Sequence, residues 1–158
     1  MQVQEIMRAN VHMADPNMTI REAARRMRAN NIGALPIGEN DRLIGIVTDR
    51  DIVVRAIAEN RSPADTTVRE VMSEGVCYCF EDDDVARAAE VMAKCQVRRL
   101  PVVDRSKRLV GFVALADLGC SEDNRAAQGA LKGISEPTGK ERRYEKSRET
   151  PVGDRVVP

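Results

Sequence analysis

The chain has 158 residues, with 25 basic and 25 acidic side chains, a formal net charge of zero and 42% hydrophobic residues. This balance leaves no global basic excess for binding nucleic acid through counterion release. No apolar run approaches the roughly 20 residues that span a bilayer, and the N-terminus has no signal-peptide pattern. We therefore expect a cytoplasmic protein that contacts neither membrane nor nucleic acid.

An internal repeat is the strongest pattern in the chain. Residues 5–51 recur as residues 70–117: a shift of 65 places Met27 on Met92, and after a one-residue insertion a shift of 66 places Asp51 on Asp117. A fixed period of this length indicates two copies of one supersecondary unit. We place copy one at residues 1–62, copy two at 63–121, and a charged, mobile tail at 122–158.

In copy one, capping signals define the long helix. The Thr19 hydroxyl and Glu22 form a capping box, an apolar stripe follows at helical spacing, and Asn30-Asn31 ends the helix. The strand Leu43–Val47 is nearly all apolar, which predicts burial on both faces. The other predicted elements are a helical turn at Val3–Met7, an extended stretch around Val11–Met13, a strand at Ala34–Ile37, and a helix from Thr48 to about Glu59.

Copy two repeats this order. Thr67 and Glu70 form a second capping box, and Asp84 is the predicted N-cap of the next long helix. The predicted elements are a short helix at Val68–Met72, a strand at Val76–Phe80, a helix at Val85–Lys94, strands at Arg99–Val103 and Leu109–Val113, and a final helical turn. Asp123–Leu131 can hold one or two helical turns, and the composition from Glu136 onward predicts a mobile segment.

All four cysteines, Cys77, Cys79, Cys95 and Cys120, lie in copy two. A disulfide framework is expected to serve both copies, so we predict reduced thiols. Cys77 and Cys79 alternate on one strand without a Cys-x-x-Cys pair or a Cys/His cluster, which favours small buried residues over a metal or redox site.

The ends of both copies resemble the cystathionine-beta-synthase (CBS) domain. Copy one reads Leu-Pro-Ile, then Arg-Leu-Ile-Gly-Ile-Val-Thr-Asp-Arg-Asp, and copy two reads Leu-Pro-Val-Val-Asp, then Leu-Val-Gly-Phe-Val-Ala-Leu-Ala-Asp. The resemblance covers residues 1 to about 120. It implies an α+β fold with two β-α-β-β-α motifs packed about a pseudo-two-fold axis, and a homodimer shaped as a flat disc of four motifs.

The resemblance also implies a function. CBS pairs typically bind adenosine-containing molecules such as AMP, ADP, ATP, NAD or S-adenosylmethionine and act as sensors. Because no enzyme domain accompanies the pair, we expect a regulatory protein without catalytic activity or a metal, which signals to another protein in trans.

Thr48 and Asp51 are the principal candidate ligand-binding residues. Thr48 ends a strand and begins a helix, where free backbone N–H groups attract phosphate, and Asp51 is placed to accept from ribose hydroxyls. The family uses its Gly-x-x-Thr-x-x-Asp motif in this way, with Gly45 allowing close approach. The same residues also satisfy an ordinary helix cap, so both interpretations stay open.

Copy two departs from this motif, because the hydroxyl position is Ala114. Asp117 can still contact ribose, but the lost hydroxyl bond predicts a weaker second site. Copy two instead has Arg98 and Arg99, and a pseudo-two-fold can carry either one to the phosphate of a nucleotide held by Thr48. A solvated surface charge is the alternative for both arginines.

The base of the ligand requires an apolar slot with backbone polar groups. By analogy with the family, the segments Val11–Ala14 and Ile32–Ala34 supply it in copy one, and core packing is the alternative. The remaining candidate contacts of the ligand are Met13, Ile32, Gly33, Ala34, Val47 and Arg50. Two other functions stay open, namely a structural interaction module with filled clefts and a cysteine-based redox or metal protein.

Overall fold

The computed structural model describes residues 1–9, 11–119 and 125–136, and the backbone of 156–157. In chain order, the strands and α-helices are β1 (Arg8–Ala9), α1 (Ile20–Asn30), β2 (Ala34–Glu39), β3 (Arg42–Thr48), α2 (Asp49–Ile52), β4 (Ser73–Glu74), β5 (Val76–Cys77), β6 (Cys79–Phe80), α3 (Val85–Cys95), β7 (Arg99–Val103), β8 (Leu109–Ala114), α4 (Leu115–Gly119), α5 (Arg125–Ser135) and β9 (Val156–Val157). The fold is mixed α+β, as predicted. Within the described ranges, no helix is long and apolar enough to cross a bilayer.

The chain divides into two compact units. The first unit is built around His12–Val76, and the second unit is built from Met1–Val11 and Cys77–Val156. The division differs from the sequence repeat, because the chain's first residues belong with copy two.

The leading segments of the two copies are exchanged between the units. Val3 packs in the core of the second unit, and its N–H donates to the Asp83 carbonyl at 2.9 Å. Val68, which occupies the equivalent position in copy two, packs in the core of the first unit and donates to the Met18 carbonyl at 2.9 Å. Each core is therefore completed by the first helical turn of the other copy.

In the first unit, a three-stranded sheet has the order β2-β3-β4, and both pairings are antiparallel. Ala34 lies opposite Thr48 in the ladder. Along β3, buried residues alternate with partly exposed ones, so the prediction that Leu43–Val47 is buried on both faces is wrong. An antiparallel sheet with one covered face explains the alternation.

In the second unit, the sheet order is β1-β8-β7-β6. β7 and β8 are antiparallel and place Arg99 opposite Ala114, which matches the Ala34–Thr48 pairing of the first unit. β6 pairs with β7 in parallel. A separate two-stranded sheet joins β5 and β9.

The predicted capping residues of the long helices are confirmed. The Glu22 N–H donates to the Thr19 hydroxyl at 3.2 Å, the Glu22 carboxylate accepts from the Thr19 N–H at 2.9 Å, and Asn31 ends α1 in the left-handed conformation. The Ala86 N–H donates to Asp84 at 2.8 Å and starts α3. The Thr19 N–H lowers the pKa of the Glu22 carboxyl, and the Ala86 N–H lowers the pKa of the Asp84 carboxyl.

Several shorter elements differ from the sequence predictions. The extended stretch at Val11–Met13 forms no named strand, although Ala14 bridges Ile37. The helix expected from Thr48 is a single α-turn that widens into a π-helix at Val53–Ile57, and Val76–Phe80 is split into β5 and β6. The helical turns predicted at Val3–Met7 and Val68–Met72 are short 3₁₀-helices, Val3–Glu5 and Val68–Glu70.

Beyond the repeat, residues predicted to form one or two helical turns form the 11-residue helix α5. Its Ala130 and Ile134 are buried in the core of the second unit. The prediction of a mobile segment after Glu136 falls on residues that lie outside those described, apart from the backbone of 156–157.

Candidate functional site

Thr48 and Asp51 bond to each other at the junction of β3 and α2. The Asp51 N–H donates to the Thr48 hydroxyl at 3.0 Å, and the Thr48 N–H donates to the Asp51 carboxylate at 2.9 Å. The ordinary cap is therefore present. Because the hydroxyl accepts in this pair, its own proton can still be donated to another group.

A cationic side chain lies beside the second oxygen of Asp51. Arg55 Nη1 is 3.8 Å from Asp51 Oδ1, and the two side chains are only 11% and 16% exposed. The same nitrogen donates to the Val71 carbonyl at 2.8 Å and the Met72 carbonyl at 3.1 Å. Arg55 thus connects the Asp51 carboxylate to the segment preceding β4. Sequence reasoning missed Arg55, although its position one turn after Asp51 is a detectable signal.

The small residues of the predicted base slot adjoin this pair. Ala34 is the ladder partner of Thr48, and the Asp49 N–H donates to the Gly33 carbonyl at 3.1 Å. Gly33 and Ala34 are partly exposed. Val47 is completely buried in the core of the first unit, so its side chain faces away from this surface.

Met13 and Ile32, also predicted for the base slot, lie in different surroundings. Met13 packs over Gly38, where an added Cβ would overlap its side chain. Ile32 is 38% exposed and lines a cavity with Gly33. Arg50 is exposed at the start of α2.

The cavity has a volume of about 430 Å³ and belongs to the first unit. It lies between the last turn of α1, the residues that follow it and α2. Thr48 and Asp51 are not among its lining residues. The described geometry therefore brings Gly33 and Ala34 to the Thr48–Asp51 pair, whereas Ile32 belongs to the cavity.

Gly45 has a different neighbour from the one expected. A Cβ at this position would lie 2.8 Å from the Ser73 carbonyl oxygen and 2.9 Å from Met72 Sδ. The missing side chain therefore allows β4 to approach β3. The expectation that it lets a ligand approach is corrected by this packing.

The second unit repeats the carboxylate geometry without the hydroxyl. The Ala114 N–H donates to Asp117 at 2.8 Å, and Arg8 lies 3.8 Å from the other oxygen of Asp117. The Arg98 carbonyl accepts a hydrogen bond from the Leu115 N–H at 2.9 Å, and Arg99 lies opposite Ala114 in the β7–β8 ladder. Both arginines are exposed and flank the Asp117 site of their own unit.

The cysteines differ from the prediction of reduced thiols. Cys77 and Cys95 form a disulfide that joins β5 to the end of α3, while Cys79 is buried outside this disulfide, with its Sγ 3.9 Å from the Pro101 carbonyl oxygen. Residues 18 positions apart within one copy can be bridged where a strand runs beside the helix end, so a framework spanning both copies is not required. Cys120 lies outside the described residues. Among those that are described, no cluster of three or more potential metal ligands occurs.

Comparison with known proteins identifies similar sequences. The CBS domain family model matches residues 3–57 and 68–118. CBS domain-containing protein YhcV of Bacillus subtilis is 42% identical over 134 residues, which cover 84% of this chain and 94% of YhcV. Hypoxic response protein 1 of Mycobacterium tuberculosis is 37% identical over 134 residues, which cover 84% of this chain and 93% of that protein.

Solved structures show the same architecture. Hypoxic Response Protein I, crystallised with two coordinated zinc ions, has a TM-score of 0.69 at 38% identity, covering 75% of this chain and 97% of that chain. The CBS domain pair of protein MJ0100, in complex with 5′-methylthioadenosine and S-adenosyl-L-methionine, has a TM-score of 0.68 at 34% identity, covering 75% of this chain and 93% of that chain.

Proposed function

The chain belongs to the CBS domain family as a tandem pair, and on that basis we propose that it is a stand-alone regulatory protein that binds an adenosine-containing ligand. The ligand is an adenine nucleotide of the AMP, ADP, ATP or NAD class, and no metal is required. Binding changes the surface that the protein presents to a regulated partner in the cytoplasm, and two copies form a homodimer.

The paired Thr48 and Asp51 carry this proposal. Their mutual bonds hold a hydroxyl and a carboxylate side by side at a strand end, next to the small residues Gly33 and Ala34. The hydroxyl proton serves a phosphate oxygen, and the second carboxylate oxygen accepts from ribose. A related CBS pair, that of MJ0100, binds two adenosine derivatives, which supports this ligand class.

Arg98 and Arg99 of copy two are exposed beside Asp117, where their guanidinium forks suit a phosphate. A second site uses Asp117, where Ala114 supplies no hydroxyl. A lost bond to a charged group costs roughly 1.5–3 kcal/mol, so we propose that this site binds about ten- to a hundred-fold more weakly.

Calorimetry with AMP, ADP, ATP, NAD and S-adenosylmethionine tests the ligand class. We expect one of them to bind, and Thr48→Ala to weaken it by about ten- to a hundred-fold through loss of the phosphate bond. Thr48→Ser should retain most of the affinity. Thr19→Ala is the matched control, because it removes an equivalent capping hydroxyl in the same unit at another helix.

Two results would reject the proposal. One is that no ligand of the panel binds more tightly than about 1 mM, which corresponds to roughly 4 kcal/mol of binding energy. The other is that Thr48→Ala and Asp51→Ala leave the affinity unchanged. Equal loss of affinity in Thr19→Ala would indicate general destabilisation.

A ligand-free interaction module is the second candidate. The observation that favours it is the complete cap, since Thr48 and Asp51 already satisfy each other's backbone N–H groups. On this interpretation, no member of the panel raises the melting temperature, because a ligand that binds only the native state must stabilise it.

A further inference from the structure

The disulfide of the second unit has no counterpart in the first. Cys77 of β5 is bonded to Cys95, the last residue of α3. With the shift of 65, Cys77 corresponds to His12, and Cys95 corresponds to Asn30, the last residue of α1. Both units form the same long helix and the same antiparallel strand pair, so the repeated fold does not require the bond.

The disulfide ties one end of the segment 96–101 to the stretch 77–79. The other end of the segment is held to the same stretch by the parallel ladder of β6 and β7, in which Cys79 lies opposite Val102. Fixing both ends of a loop reduces the number of conformations that it can adopt. We call residues 96–101 the tethered segment.

The equivalent segment of the first unit, residues 31–36, lacks the covalent tie. Ala14 forms a parallel bridge with Ile37, which reproduces the pairing of β6 with β7. The residues at the positions of the two bonded cysteines are His12 and Asn30, which cannot form a covalent link. Breaking the disulfide therefore gives the second unit the same connections as the first.

The tethered segment carries the residues that adjoin Asp117. The Arg98 carbonyl accepts from the Leu115 N–H at 2.9 Å, and Arg99 lies opposite Ala114. The Ala114 N–H in turn donates to the Asp117 carboxylate at 2.8 Å. The two arginines beside the second proposed ligand site are thus held in position by a segment that the disulfide restrains.

We propose that Cys77 and Cys95 are a thiol–disulfide exchange site that regulates the ligand site at Asp117. The oxidised pair holds the tethered segment in place for the nucleotide, and reduction by a dithiol releases the segment and weakens binding. This inference rests on the proposed function and adds a regulator to its second site.

The exchange begins at Cys95. Cys95 is partly exposed, whereas Cys77 is buried in the core of the second unit. A thiolate of the dithiol forms a mixed disulfide with the Cys95 sulfur, and the Cys77 sulfur leaves as a thiolate and takes up a proton. The second thiol of the reductant then displaces Cys95 and closes the reductant's own disulfide, so two electrons and two protons pass to the protein. The reverse exchange with an oxidised dithiol restores the bond.

The compartment and the cysteine distribution both favour regulation of one site. In the cytoplasm, where the proposed function places the chain, thiols are kept reduced, and the disulfides that occur are usually transient and catalytic or redox-sensing. Residues 1–76 contain no cysteine. The Thr48 site of the first unit therefore has no disulfide to lose, and it serves as an internal reference.

Calorimetry of the variant Thr48→Ala/Ala114→Thr tests the regulation, because this exchange moves the threonine hydroxyl to the second unit. The probes are AMP, ADP, ATP, NAD and S-adenosylmethionine. We expect dithiothreitol, a dithiol, to weaken binding at the Asp117 site by about ten-fold, because the released segment must be ordered again on binding. The Thr48 site of the wild type should keep its affinity, and circular dichroism should show both redox states folded.

Two substitutions taken from the first unit provide a variant and its matched control in the same background. Cys95→Asn introduces the residue type of Asn30 and removes the disulfide. It should weaken the Asp117 site as much as reduction does and abolish the response to dithiothreitol. Cys79→Ala introduces the residue type of Ala14 and removes a buried thiol outside the disulfide, so the response should remain.

Hydrogen exchange of the unliganded wild type remains decisive if Cys95→Asn fails to fold. Dithiothreitol should speed amide exchange in residues 96–98 by about ten-fold and leave residues 31–33 unchanged, because only the first stretch adjoins a disulfide. Unchanged exchange at 96–98, or equal affinity of the Asp117 site in the two redox states, would overturn the regulation and leave the proposed function standing. Absence of binding at both sites in both redox states would overturn the proposed function and the regulation together.

Discussion

Gly45 and Gly111 occupy the same position in the two copies, and each allows a neighbouring backbone to approach its strand. A Cβ on Gly111 would lie 2.7 Å from the Arg8 carbonyl oxygen, and one on Gly45 would lie 2.8 Å from that of Ser73. Carbonyl oxygens paired in a sheet cannot move away as a flexible side chain would. The glycines are thus required for packing, independently of any ligand.

We expect Gly45→Ala to lower the free energy of unfolding by about 1–3 kcal/mol, because the added methyl group overpacks the contact between β3 and β4. Urea unfolding followed by circular dichroism measures the change. Gly129→Ala is the control: nothing lies within 4 Å of its Cβ position on α5, so it should stabilise the protein by up to about 1 kcal/mol. Equal effects of the two substitutions would contradict the packing argument.

The sequence predicted the acidic residues of the candidate site better than their surroundings. The capping of Thr48 by Asp51 follows from a spacing of three residues, which is visible in the sequence. The neighbouring cations do not repeat: Asp51 has Arg55 from the π-helix that follows α2, whereas Asp117 has Arg8 from the start of the chain. Only the exchange of leading segments brings Arg8 to Asp117.

At the scale of elements, helix ends could be predicted and strand environments could not. Thr19 and Asn31 define α1 through local hydrogen bonds and a local backbone conformation, both of which depend on neighbouring residues alone. The burial pattern of β3 depends on which faces of the sheet other elements cover, and its apolar composition does not reveal this. The π-helix at Val53–Ile57 likewise has no signal in the sequence.

The disulfide between β5 and α3 leads to an element-scale prediction. Cys77 and Cys95 are 18 residues apart, and closing a loop of about this length stabilises a protein by about 3 kcal/mol in the chain-entropy account. We expect Cys95→Ser to lower the free energy of unfolding by about this amount. Reductant should destabilise the wild type but leave Cys95→Ser unchanged.

Alkylation under denaturing conditions provides an independent readout of the same bond. Cys77 and Cys95 should react only after reduction, whereas Cys79, which is buried and lies outside the disulfide, should react once the chain unfolds. Equal labelling of all these cysteines without reductant would show that the thiols are reduced, as the sequence had suggested. In that case Cys95→Ser should cost much less than the disulfide estimate.

At the scale of the whole molecule, the two copies depend on each other for their cores. Val3 lies in the core of the second unit, and Val68 and Val71 lie in that of the first, so a chain cut between the copies would leave both cores incomplete. The repeat predicted two similar units but could not show this exchange. The first helical turns of the two copies have similar sequences, so the sequence alone does not indicate which core each one completes. Any difference between the two proposed ligand sites therefore arises within one molecule whose copies depend on each other.

The difference between Thr48 and Ala114 predicts the stoichiometry of binding. Both positions precede a helix whose aspartate accepts the local N–H, so the two sites differ there by one hydroxyl. We expect wild-type calorimetry to show one strong site per chain. Ala114→Thr should tighten the second site by about ten- to a hundred-fold, giving two comparable sites, because the new hydroxyl can bond to phosphate.

Ala114→Val distinguishes the effect of the threonine hydroxyl from the effect of side-chain volume, because valine matches threonine in volume but cannot donate a hydrogen bond. This variant should leave the second site weak. If valine and threonine at position 114 act alike, the hydroxyl does not determine the affinity. The exposed Arg98 and Arg99, which flank Asp117, would then be the next residues to replace, since phosphate contacts from their own unit can substitute for a missing threonine.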